Sequence, residues 1–348
     1  MEIRFYTEDM NLAGIMENQT SLVWARKYFE PGSMELYAPI TKDNLRLTEL
    51  GNLVWLRGAK EAAVIEDRMV EENSQRSRII IGGRFLSSYM DRRLIRPKVN
   101  YSGLTEVGMR QLLTNANPIP RVVLGELNGF TDTITFQATY KNLLEYEKKL
   151  ARSAGIGFRF RPDFSEKQII FETWKGVDRS SAQSRNNRVI FSEMYLNLDN
   201  VVFRENEKSL KNCVYVGGAG EGDARTYVSF GTDITGLERR ELFVDARDIA
   251  PDDMTTAQYR DALLQRGHDK LTEYSRSSSI ESDTNPNANF VYKTNYDLGD
   301  IVSIRKKAWG ITTDLRITEI HEVYERGKMR VSPVFGEPLP QTIDWSDD

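Results

Sequence analysis

The sequence predicts a mainly β protein with an α+β insertion: two related β-barrel or sandwich domains, separated by a small α/β domain, with a helical insertion in the second barrel. Three observations predict it. Short apolar runs bounded by turn residues dominate both ends of the chain. Helical periodicity is confined to the middle and to one later segment. The third is an internal repeat: Leu50-Gly51-Asn52-Leu53-Val54-Trp55-Leu56-Arg57 returns as Leu298-Gly299-Asp300-Ile301-Val302-Ser303-Ile304-Arg305, identical at four of eight positions.

In the first domain, residues 1–96, Ser21 to Tyr28 is rich in Val, Trp, Tyr and Leu and reads as a strand. Glu30-Pro31-Gly32-Ser33 follows, where Pro then Gly predicts a type II turn with Gly32 at positive φ. Met34 to Tyr37 alternates, Leu53 to Leu56 is an apolar run after the repeated glycine, and Ala63 to Val70 and Arg78 to Ile81 flank a polar tip at Glu71 to Gln75.

The middle domain, residues 97–205, changes period. Thr105 to Asn115 and Thr139 to Ala154 read as helices. In the second, Tyr140, Leu143, Leu144, Glu147, Leu150, Ala151 and Ala154 share a face that is apolar except at Glu147, and Gly155 sits where a left-handed cap is needed. Gly157 to Arg161 and Gln168 to Trp174 read as strands.

The third domain, residues 206–348, returns to strands. Lys211 to Val216 and Thr226 to Phe230 form a hairpin that corresponds in position to Ser21 to Tyr37. A helical insertion follows at about 245–285, where Thr255 and Gln258 have capping-box spacing and Tyr259, Ala262, Leu263, Leu271 and Tyr274 form an apolar side expected to cover the second barrel. Ser275 to Asn289 reads as a polar loop. Strands resume at Phe290 to Lys293, Ile301 to Arg305, Leu315 to Tyr324 and Met329 to Val334. Together the two strand series imply a duplication in which Gly51 and Gly299, like the turn residue Gly32, hold structural positions.

Composition excludes several function classes. With 348 residues, 47 Lys+Arg against 51 Asp+Glu and no long basic block, the chain lacks the footprint of a duplex-DNA binder. The single Cys213 forms no internal disulfide and reads as a buried small hydrophobe, and two His are too few for a His-rich metal centre. The start has no basic segment followed by an apolar core, so no secretory signal is expected, and no stretch approaches the roughly 18 apolar residues of a membrane span. Gly217 to Gly222 would suit a phosphate only if a helix followed, and Asp223 to Phe230 reads as a strand, so the glycines are a hairpin tip. Nothing selects Glu66-Asp67 or Glu71-Glu72 as two carboxyls facing across a glycosidase cleft, and Asp245 to Asp248 lacks the spacing of a calcium loop. His268 and His321 have no Ser or Cys partner motif. No catalytic, metal or cofactor-binding residues are expected.

The order of motifs resembles a known family. Ser21-Leu22-Val23-Trp24-Ala25-Arg26-Lys27-Tyr28-Phe29-Glu30-Pro31-Gly32 with Met34-Glu35-Leu36 looks like the opening of the siphovirus tail hub proteins, related to the N-terminal part of tail-associated lysins. Gly83-Arg84-Phe85-Leu86, Asp91-Arg92-Arg93, Gly155-Ile156-Gly157-Phe158, the run Arg239 to Asp248 and Tyr296 to Val302 continue it, from about 20 to 336. The resemblance implies a homotrimer whose two barrels per chain make a pseudo-six-fold ring. Such a ring meets the tail tube or a distal tail protein on one side and a tip or spike protein on the other, and DNA passes through it without specific binding. It also implies a virion location at the tail tip and no catalytic residues in the hub. Lysins carry their enzyme in a further C-terminal domain, for which a chain ending at Asp348 is expected to have no room. The alternatives are a tail-associated cell-wall or polysaccharide-degrading enzyme, and a carbohydrate- or receptor-binding β-protein.

Overall fold

The computed structural model describes all residues except 75–76, 116–117, 253, 284–288, 326 and 337–348. The chain opens with β1 (Ile3–Tyr6), β2 (Leu12–Met16), β3 (Ser21–Lys27), β4 (Ser33–Ala38), α1 (Lys42–Leu47), β5 (Leu53–Leu56), β6 (Ala62–Glu72) and β7 (Ser77–Phe85). Next come β8 (Val99–Leu104), α2 (Thr105–Asn115), β9 (Val122–Leu124), β10 (Thr133–Ala138), α3 (Leu143–Ala154), β11 (Gly157–Asp163) and β12 (Gln168–Trp174). It continues through β13 (Ile190–Ser192), β14 (Asp199–Asn206), β15 (Cys213–Gly217), β16 (Tyr227–Phe230), β17 (Glu241–Asp245) and α4 (Thr256–Thr272). The last strands are β18 (Ser277–Asp283), β19 (Ile301–Lys306), β20 (Ile311–Glu325) and β21 (Lys328–Gly336).

The chain forms two compact units. The first holds Met1–Trp24, Phe29–Lys175 and Leu210–Ser275; the second holds Ala25–Tyr28, Gly176–Ser209 and the described residues of Arg276–Asp348. These cuts fall elsewhere than the boundaries read from the sequence at 96 and 205: residues 97–175 go with the first strands, and 210–275 leave the last ones.

In the first unit the main sheet runs β4-β7-β6-β5-β1-β2, with β3 outside β4. Period-two alternation explains β4, where Met34, Leu36 and Ala38 are buried and Ser33 and Glu35 exposed. Leu36 pairs with Ile81 and Val54 with Ala63, so buried apolar residues of adjacent strands lie directly opposite each other. Trp24 packs against Phe85 in that core, the ring centroids 4.5 Å apart and the planes tilted by 38°. The reversal before β4 is not the type II turn expected. Gly32 does not have the positive φ such a turn requires, and its carbonyl accepts the Phe85 N–H at 2.8 Å, which ties it to the end of β7.

The remaining elements of this unit are an α+β part. Helix α3 begins at Leu143 because the Asn142 side chain accepts the Glu145 N–H, and it ends at left-handed Gly155 (φ 63°). Tyr140 therefore lies outside the helix, 72 % exposed, and not on its apolar face as expected.

Sheet β16-β15-β17 carries α4 on one side. Tyr259, Ala262 and Leu263 form a core with Val214, Val216, Val228 and Val244. The capping box at Thr255 and Gln258 is present. The helix thus covers β15, β16 and β17, within residues 206–348 as expected, and in addition packs on β10. Leu263 is fully buried. Leu263→Ala is expected to cost about 2–5 kcal/mol in urea unfolding, since the surrounding valines cannot collapse into the gap; a cost under about half a kcal/mol would contradict this packing.

In the second unit the order is β14-β18-β21-β20-β19-β13, with the last residues of β3 beside β20, where the Tyr28 N–H donates to the Thr318 carbonyl at 2.9 Å. Two expectations are corrected here. The polar Ser275–Asn289 segment contains strand β18, and residues 284–288 with Pro286 lie outside the described residues. Backbone pairing to β14 and β21 on both edges outweighs its weak side-chain signal. Phe290–Lys293 is not a strand and contributes only a bridge from Tyr292 to Tyr296.

One strand order occurs twice: β3-β4-β7-β6-β5 in the first half and β14-β18-β21-β20-β19 in the second. The counterpart of the β3–β4 hairpin is therefore β14 and β18, which flank residues 210–275, and not the Lys211–Phe230 hairpin. That hairpin stands out in sequence because its strands are apolar, whereas β14 and β18 are rich in Asp, Asn, Ser and Glu.

Candidate functional site

The repeated motif forms the same corner in both halves. The Gly51 N–H donates to the Ile65 carbonyl at 2.9 Å, and the Ile65 N–H returns to the Asn52 carbonyl at 2.9 Å. The Gly299 N–H donates to Ile317 at 2.8 Å, and the Ile317 N–H returns to Asp300 at 2.8 Å. Both glycines are left-handed, at φ 86° and 97°. Immediately beyond, the ladder slips by one residue in both places, between Ile65 and Asp67 and between Ile317 and Glu319.

The two corners differ in what surrounds them. A Cβ on Gly51 would meet nothing within 4 Å, whereas one on Gly299 would stand 2.3 Å from the Tyr28 ring. Gly51→Ala is expected to cost about 1–2 kcal/mol, the penalty of a left-handed alanine. Gly299→Ala adds about 1–3 kcal/mol of overpacking. Equal denaturation midpoints for the two variants would refute this ordering. The Asp300 carboxylate also accepts from the Val177 N–H (2.7 Å) and Arg179 Nε (2.8 Å), clamping the segment before β13.

A buried polar cluster lies next to the second corner. Arg26, 4 % exposed, donates through Nη1 to the Tyr292 hydroxyl and to Asp297 Oδ1, both at 2.7 Å. The Tyr292 hydroxyl donates to Glu322 Oε1 (2.7 Å), the Tyr324 hydroxyl donates to Oε2 (2.5 Å), and Lys293 Nζ stands 2.8 Å from Oε1. Burial alone would push the Glu322 carboxyl up, but Lys293 and the two hydroxyls outweigh it and hold the group below its ordinary value. Sequence reading passed over this cluster, although an arginine inside the apolar run Trp24-Ala25-Arg26 was its one visible signal.

Two further carboxyls in the first unit contrast with it. Glu106 accepts from the N–H groups of Asn128 (2.9 Å) and Gly129 (3.0 Å) and from the Thr173 hydroxyl (2.6 Å), so it stays ionised and pins the 128–129 loop to α2. Glu147 is fully buried on α3 with no hydrogen-bond partner for either oxygen, and burial pushes its carboxyl well above the ordinary range.

A cavity of about 350 Å³ lies among α3, α4 and β17, lined by Tyr146, Lys149, Phe243, Asp245, Arg266 and Asp269. Burial pushes Asp269 up to about 6, while Gln265 donates to it at 2.7 Å. The lining charges already pair: Arg266 with Asp248 (3.0 Å), Lys149 with Glu273 (3.1 Å) and Asp245 with Arg225 (2.7 Å).

The other sequence candidates stay apart. Cys213 is buried, His268 stacks on Phe230 at 4.0 Å, and the glycine-rich tip leads into β16. Among the described residues no group of three His, Cys, Asp or Glu side chains could hold a metal ion, and no helix is long and apolar enough to cross a membrane.

Comparison with solved structures gives the fold. The chain is similar to a tail protein from Neisseria meningitidis MC58 (TM-score 0.61, 13 % identity, covering 97 % of this chain and 96 % of that one). It is also similar to a 43 kDa tail protein of prophage MuSo2 from Shewanella oneidensis (0.58, 12 %, 96 % and 98 %) and to prophage tail protein gp18 from Listeria monocytogenes EGD-e (0.57, 12 %, 98 % and 96 %). No curated protein matches the sequence. Residues 2–337 match a single family over nearly the whole chain. With the fold of prophage tail proteins, this chain belongs to the siphovirus ReqiPepy6 Gp37-like protein family.

Proposed function

We propose that this tail protein is the structural hub at the distal end of a phage or prophage tail. Three copies form a ring between the tail tube and a tip or spike, through which DNA passes. The observation that carries the reading is the strand order and glycine corner found twice in one chain. Two similar sheets per chain, taken three times, give six similar faces, the fewest copies with which a duplicated chain can match a six-fold tube. The duplication itself is part of the proposal: Gly51 and Gly299 descend from one position, while Gly32 supports the β4–β7 ladder through its carbonyl. No residue is proposed to be catalytic, and no metal or cofactor to be bound.

Electron microscopy of the purified tail tip tests this. Three copies around a duct are expected, with a wall not dominated by Lys and Arg, since each phosphate contact would hold the DNA back. Six copies, or absence of the protein from the tip, would refute it. Incubation with host cell walls separates the enzymatic alternative, which requires released sugar or peptide.

A further inference from the structure

The two halves of the repeat are not equally paired. Strand β3 has neighbours on both edges, β4 on one and β20 on the other. Its counterpart β14 has β18 on one edge, and among the described residues no strand on the other. Strand β20 is paired beyond the slip at Ile317, where β3 lies beside it. Its counterpart β6 pairs with β5 only over Ala62–Val64, and beyond Ile65 that edge carries no strand among the described residues. The two vacant edges are thus the counterparts of the two strands that pair with each other within the chain.

We propose that β14 of one copy pairs with the far half of β6, Glu66–Glu72, of a second copy, reproducing between chains the β3–β20 contact. The occupant is another copy of this chain because the chain itself supplies the template: an edge of this kind already receives a strand of this kind. Each edge offers apolar side chains to a partner: Val202 on β14 and Met69 and Val70 on β6 are 43 %, 47 % and 47 % exposed. The charged side chains of Glu66–Glu72 and of β14 keep both edges from pairing indiscriminately, so a partner has to match their register. The contact is head-to-tail: one copy offers β14, the next offers β6, and every copy retains one of each until a ring closes. This inference rests on the ring proposed above for its closure.

Cysteine cross-linking of the full chain tests it. A cysteine at Val202 or Arg204 is combined with one at Met69, Val70 or Glu71, and the protein is oxidised at concentrations up to those used for crystallisation. The expected result is covalent multimers from the double variants and none from either single variant. Dimers from a single variant would mean a two-fold contact and would overturn the proposal. So would a chain that stays monomeric throughout, or an oligomer that none of the pairs links. Detection of the protein in purified tail tips by immunoblot keeps the hub reading separate: presence there without β14–β6 links sinks the pairing alone.

Discussion

Replacing Arg26 by alanine is expected to destabilise the second unit by about 3–5 kcal/mol, the cost of breaking a buried, hydrogen-bonded charge cluster from one side. Arg26 bridges Tyr292 and Asp297 from a position that is 4 % exposed, and Tyr292 in turn holds the almost fully buried Glu322. The substitution strands these groups together. The pH dependence follows from Glu322. Its carboxyl is held below its ordinary 4.5, so its contribution is present above that value and fades as pH falls through the lowered one. Urea midpoints of the variant and the parent at neutral and acidic pH check both statements. A loss below about 1 kcal/mol at neutral pH would show that the cluster is spectator chemistry.

Glu147→Leu is expected to move stability the other way, raising it by about 1–3 kcal/mol at neutral pH, because the parent side chain buries a carboxyl that no donor or acceptor satisfies. The native state keeps this carboxyl protonated above 4.5, whereas the unfolded chain releases the proton near that value. Between the two values the unfolded state binds fewer protons, so stability falls as pH rises from about 4.5 towards the raised one. The leucine variant should lack that slope. Thermal melts from pH 4 to 8 measure it; a variant that melts lower than the parent across the range would refute the assignment.

How far the sequence carried depended on whether side chains or backbone pairing decided a segment. The helices α2, α3 and α4 and the strands β5, β15 and β16 were legible because apolar spacing and caps act within one segment. The glycine corners were legible for a different reason: both glycines are left-handed, a conformation few other residues tolerate, and the same short motif surrounds each. Strand β18 was not legible, because Ser277–Asp283 is held by neighbours distant in sequence, with Ser279 and Ser282 buried in the ladder. Missing it hid that β14 and β18 hold the place in the strand order that β3 and β4 hold in the first half. Glu147 was visible as the exception on an apolar face, but only burial shows that nothing answers its carboxyl. Arg26 and Glu322 lie 296 positions apart, 322 less 26, which no local pattern spans.

Residues 210–275 leave and re-enter the chain at one place, where the Lys211 N–H meets the Tyr274 carbonyl at 2.9 Å. In the first half the same interval is a tight reversal at Tyr28–Gly32. A segment whose ends are already clasped imposes almost no stretching on the strands that flank it, and its length enters the free energy of closure only logarithmically. The interval between β14 and β18 is therefore a socket. Its length can change while β14 and β18 keep their registers, so what constrains this segment is not those two strands but the face of α4 that packs on β10.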